Sequence, residues 1–150
     1  MQTIQNMFNH LSWANQCILK TLQNIEEENQ NAINLFSHIL LAEHIWFTRL
    51  EGLDSSALAI WDEVSLDKCT EMVKQNNQNF TAFLSPMSDA DLHNLVFYKN
   101  SKGKKFQNTV GDILTHIALH GQYHRGQINQ RLRECGLEPV NVDYITFRRE

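Results

Sequence analysis

The sequence predicts an all-α fold, a four-helix bundle, and three observations carry that prediction. Four long stretches show apolar residues recurring at helical spacing. Only two prolines occur, Pro86 and Pro139, and each stands at the end of such a stretch. The period changes only once, over short alternating runs just before the last stretch. Four helices that each offer one apolar face make a bundle the economical architecture. A chain of 150 residues fits one domain, taken here as residues 1–150.

The first helix is expected from about Ile4 to Ile25, with Phe8, Leu11, Ile18 and Leu22 on one side and Trp13 and Ala14 near them. Glu26, Glu27 and Glu28, followed by Asn29 to Asn31, read as a solvated turn. The second helix is expected from about Ala32 to Leu50, stopped near Gly52. Its apolar stripe is Leu35, Ile39, Ala42, Trp46, Leu50 and Leu53. The third covers about Leu66 to Leu84, with Met72, Val73, Phe80 and Phe83 as its apolar positions. Alternating runs at Leu95 to Lys99 and near Lys105 to Asn108 flank Asn100-Ser-Lys-Gly103, which predicts a short β-hairpin or a structured loop. The fourth helix starts at Thr109, with Asp112 three residues on as in a capping box. Its pattern runs to Cys135, where Gly136 and then Pro139 end it.

Composition narrows the function classes. Hydrophobic residues make up 42% and charged residues 20%, enough to fill a core. The formal net charge is −4, and the densest basic stretch holds only Lys99, Lys102, Lys104 and Lys105. An acidic chain without a basic stripe has no electrostatic footprint for nucleic acid, which opposes a regulator acting on DNA. No apolar run approaches the roughly 20 residues that span a bilayer, so no membrane partner is expected. Met1 to Asn9 carry no basic n-region, and Cys17, Cys69 and Cys135 form no CxxC pair. The expected compartment is the cytoplasm, with reduced thiols.

Seven histidines occur, and His116, His120 and His124 follow one another at intervals of four on the last helix. At about 100° per residue, Ile113, Ile117, His120 and His124 fall within roughly 60°, and His116 lies some 40° beyond His120. Two imidazoles therefore sit in the stripe that should face the core. One His on an apolar face is more often a hydrogen-bonded core residue than a ligand. Two on adjacent turns project the same way, and one metal ion would satisfy both. Spacing leaves the two readings about even.

A third ligand has to come from another helix. On the second, His38 lies roughly 40° from Ala42 at the border of the stripe, whereas His44 lies about 180° from Leu35. His38 is the inward candidate. His10 and His93 read as ordinary surface residues. A closed zinc site would want paired cysteines, and a di-iron bundle would want Glu-x-x-His, which this sequence lacks. Three nitrogen ligands with open positions are the pattern of catalytic metal sites.

The segments His38-Ile-Leu-Leu-Ala-Glu43-His-Ile-Trp46-Phe-Thr-Arg49-Leu50 and His116-Ile-Ala-Leu-His120-Gly-Gln-Tyr-His124-Arg125-Gly126-Gln127-Ile128 resemble the two signatures of the DinB family. The ending Asp143-Tyr-Ile-Thr-Phe147 resembles that family's usual close, and the resemblance covers essentially the whole chain. It implies a bundle of up-down-down-up order with one divalent ion, zinc or nickel, held by His38, His120 and His124. It also implies a homodimer and a place in stress responses. Similar proteins include S-transferases and isomerases that use a low-molecular-weight thiol and an electrophilic substrate.

The neighbouring residues admit two readings each. Arg125 pairs with a carboxylate and orients the last helix, or forms a solvated or interhelix salt bridge. Glu43 accepts from a ligand His N–H, or forms an interhelix ion pair. Gln127 is expected to hydrogen-bond near the site. Gly126, at a cost of about 1 kcal/mol against Ala in a helix, suggests close packing with another helix. Trp13, Trp46 and Tyr123 are candidates to line a pocket, with Trp46 favoured as core. The function then falls between a metal-dependent transferase or hydrolase and a non-catalytic metal-binding dimer or interaction module.

Overall fold

The computed structural model describes residues 1–25 and 29–149. Glu26 to Glu28, expected in a turn, lie outside the described residues. Four long helices appear: α1 (Gln2–Gln23), α2 (Gln30–Leu50), α3 (Leu66–Leu84) and α4 (Val110–Glu134). A 3-10 turn (Ala90–His93) and strands β1 (Leu95–Lys99) and β2 (Lys105–Thr109) precede α4, and a one-turn helix α5 (Tyr144–Phe147) follows it. The strands pair antiparallel from Leu95 opposite Thr109 to Lys99 opposite Lys105, so the hairpin reading holds.

Local chemistry sets the helix ends. The second helix begins two residues before the expected Ala32, because the Asn29 side chain accepts from the Ala32 N–H and caps it. Ser65 caps α3 through the Lys68 N–H. Thr109 and Asp112 form the reciprocal capping box, at 3.1 and 3.2 Å. Gly136 takes φ +72° just past α4, in the left-handed region that ends helices. Leu53, placed in the α2 stripe from the sequence, is 64% exposed, since the helix stops at Leu50 and the chain turns away at Gly52.

The apolar core falls into two clusters, and their membership gives the topology. One joins Ala14, Ile18 and Leu22 of α1 to Ile33, Phe36 and Leu40 of α2, Cys69 and Val73 of α3, and Ile128 and Leu132 of α4. The other joins Phe8 and Leu11 to Phe80, Leu84, Ile113, Leu114 and Ile117, with Trp46, Phe47 and Leu50 packed against it. The first halves of α1 and α4 thus meet the second halves of α2 and α3. Helices α1 and α4 run one way and α2 and α3 the other, which is the up-down-down-up order. Between the clusters lies a buried polar layer of Asn15, Glu43, Asn76 and Arg125. Among the described residues no helix is long and apolar enough to cross a membrane.

Candidate metal centre

Antiparallel packing of α2 on α4 sets His38 opposite a pair of imidazoles one turn apart. Ring centroids are 5.0 Å from His38 to His120, 4.6 Å from His38 to His124, and 4.4 Å from His120 to His124. One ligand atom from each of the three lies within 4.8 Å of the others. The Nε2 atoms of His120 and His124 are 3.1 Å apart. Two nitrogens at about 2.1 Å from one tetrahedral ion would lie roughly 3.4 Å apart, so this pair needs little adjustment to share one.

The outer nitrogens are anchored, which fixes which atoms face inward. His38, only 4% exposed, donates from Nδ1 to the Ile60 carbonyl at 2.8 Å, leaving Nε2 as its lone-pair atom. The Trp61 indole stacks on the same ring at 3.6 Å and 5°. His124 donates from Nδ1 to Gln127 Oε1 at 2.6 Å, and Gln127 in turn donates to the Tyr123 hydroxyl at 3.3 Å. Gln127 therefore does hydrogen-bond beside the site.

Burial favours the neutral form of His38 and His120. Burial, then the adjacent His124, His38 and His116, pushes His120 down to about 4. Burial also lowers His38, with His124 acting the same way and the Ile60 hydrogen bond opposing. His38 and His120, held below the ordinary imidazole value, need shed no proton at neutral pH to bind an ion. The set of three imidazoles fits one divalent cation.

Other candidates stand apart. His44 is half-buried beside Asp62, Glu63 and Glu71 and is not in the cluster. His116 is exposed, its ring 5.5 Å from His120 and edge-on to Trp46 at 5.1 Å. His93 is exposed, but His10 is buried and donates to the Val142 carbonyl at 2.8 Å, which corrects the surface reading. That partner lies 132 residues away and leaves no local trace. Cys69 is fully buried, and burial pushes its thiol up to about 11, so it is no nucleophile at neutral pH.

Several neighbours depart from expectation. Among the described residues Glu43 receives no imidazole N–H: its oxygens accept from Asn15 Nδ2 at 2.8 Å and Asn76 Nδ2 at 3.0 Å. Arg125 makes no direct ion pair within the described residues and instead donates from Nη1 to Asn15 Oδ1 at 2.8 Å. Gly126 has open space where a Cβ would stand, whereas a Cβ on Gly121 would lie 3.0 Å from Arg125 Nη1. Trp46 is half-buried against the second apolar cluster, with Arg49 at 4.5 Å over its ring. Tyr123 is exposed edge-on to His124, and Trp13 packs on His10 and on Phe147 of α5 rather than on the three clustered histidines.

Sequence reasoning missed Asn15, Asn76, Ile60 and Trp61. The first two are polar residues at buried positions of otherwise periodic helices, a visible oddity whose partners the periodicity cannot supply. Ile60 and Trp61 lie in the aperiodic connection between α2 and α3. The short apolar run Ala57 to Trp61, flanked by Ser, Asp and Glu, is their one signal.

Comparison with known proteins covers the same ground. The chain is 24% identical to Protein DinB of Bacillus subtilis (strain 168), over 92% of this chain and 89% of that protein. It is 27% identical to the uncharacterized protein YizA of the same strain, over 77% of this chain and 72% of that one. The model of the DinB family matches residues 1–150, a span that takes in all four helices and the three clustered histidines. On that match this chain belongs to the DinB family.

Proposed function

We propose that this protein holds one divalent metal ion, zinc or nickel, through His38, His120 and His124, and uses it as a thiol-dependent S-transferase or a hydrolase. The observation that carries the reading is the convergence of three imidazole nitrogens within 4.8 Å from two antiparallel helices. Among the described residues that group contains no fourth His, Cys, Asp or Glu, the incomplete set typical of catalytic rather than structural sites. Once bound, such an ion supplies Lewis acidity toward a water or a small thiol. His38 and His124 bring their Nε2 atoms forward because Ile60 and Gln127 hold the opposite nitrogens. Trp61 and Tyr123, both more than half exposed beside these rings, offer apolar walls for an electrophile. The family resemblance also supports a homodimer in the cytoplasm, for which light scattering supplies the assembly state.

Elemental analysis of the purified protein tests the metal, with His44→Ala keeping about one equivalent and His38→Ala losing it. Turnover across a panel of small thiols and electrophiles tests the enzyme, and His120→Ala should abolish it while the helical spectrum persists. A loaded protein inert across the panel, with His→Ala variants only less stable, favours a non-catalytic metal-binding module instead. A wild-type protein that takes up neither ion overturns the reading.

A further inference from the structure

We infer that Asn15, Glu43, Asn76, Arg125 and Gly121 form a register key that positions the histidine cluster, a proposal that rests on the metal reading above. The polar contacts form one unbroken chain through all four helices. Arg125 of α4 donates to Asn15 of α1, Asn15 donates to Glu43 of α2, and Asn76 of α3 donates to the other Glu43 oxygen and to the Leu40 carbonyl at 3.0 Å. Every member of this chain is buried, Arg125 completely.

Its place gives it leverage over the site. The layer lies between the two apolar clusters, whose contacts alone would tolerate sliding of one helix along another. Buried polar groups do not tolerate it, because each slip strands a donor or an acceptor. Glu43 stands five residues after His38 on α2, and Arg125 directly follows His124 on α4. Fixing Glu43 relative to Arg125 through Asn15 therefore fixes the height and rotation of His38 against His120 and His124. Asn15 is suited to the middle, since its amide accepts from the cation and donates to the carboxylate at once. Gly121 belongs to the same device. The guanidinium folds back over it, with Nη1, Nη2 and Cζ at 3.0 to 3.4 Å from where a Cβ would stand.

Two variants separate this role from a structural one. Gly121→Ala should favour the helix by propensity yet crowd the guanidinium off Asn15. Asn15→Asp keeps the shape but sets a second carboxylate against Glu43. Zinc affinity of the metal-free protein is read by competition with a chromophoric chelator, and the imidazole nitrogens of His38, His120 and His124 by NMR without metal. Both variants should shift those imidazole signals and weaken zinc binding about tenfold or more, as loss of support behind ligands does. Wild-type signals and affinity in both would overturn the key. If the wild-type protein binds neither zinc nor nickel, the metal reading fails on its own, and unshifted imidazole signals in the variants would sink the key separately.

Discussion

At the scale of single residues, a backbone oxygen decides the tautomer of His38. With Nδ1 donating to Ile60, the ring can offer only Nε2, and the stacked Trp61 holds its plane. An aromatic pair of this kind is worth about 0.5–1.5 kcal/mol, so Trp61→Ala should weaken zinc binding by a factor of roughly 2 to 13. Chelator competition reads this directly, and an unchanged affinity would mean that Ile60 alone orients the ring. Glu43 makes a second prediction. Burial raises its carboxyl above the ordinary 4.5, with Asn15, Asn76 and Arg125 opposing only in part. A raised native pKa means the protonated form suits the fold, so this group's contribution is full below about pH 4.5 and drains as pH climbs toward the native value. Glu43→Gln should therefore gain on the wild type in urea stability as pH rises from 4.5. A gap that closes with rising pH would show that the ionised carboxylate is the favoured form.

At the scale of elements, α4 carries most of the candidate site, and its start is shared with the hairpin. Thr109 ends β2 and caps α4, so strand and helix join without a linker. Thr109→Ala should cost about 1 kcal/mol in denaturant unfolding. A loss of a few tenths would mean that the Asp112 half of the box suffices. The same helix shows how much local pattern reveals and where it stops. Its start, its glycine stop and the inward pair His120 and His124 all follow from spacing along one segment. The glycine under close approach does not. Gly121 and Gly126 look alike in sequence, and which one is crowded depends on where Arg125 folds.

At the scale of the whole molecule, a site drawn from two helices couples ligand binding to folding. An ion that binds the native chain alone stabilises it by about 2.7 kcal/mol at a hundred times its Kd. For a chain of this size that is roughly 5–10 °C in melting temperature. Zinc should raise the melt of the wild type by that amount and leave His38→Ala where it was. Equal shifts in both would place the bound ion elsewhere.

The sequence by itself determines the four helices, the capping box and glycine stop of α4, a hairpin or structured loop before it and two inward imidazoles on α4, because each depends on residues a few positions apart whose spacing meets the period of the backbone. It also places His38 at the border of a stripe. Only the tertiary structure decided that His38 is buried against that pair, that Ile60 and Trp61 back it, and that Arg125 reaches Glu43 through Asn15. Those contacts join residues 22 to 110 positions apart along the chain. A polar group's partner at that range is set by how helices dock, which no periodicity within one helix encodes.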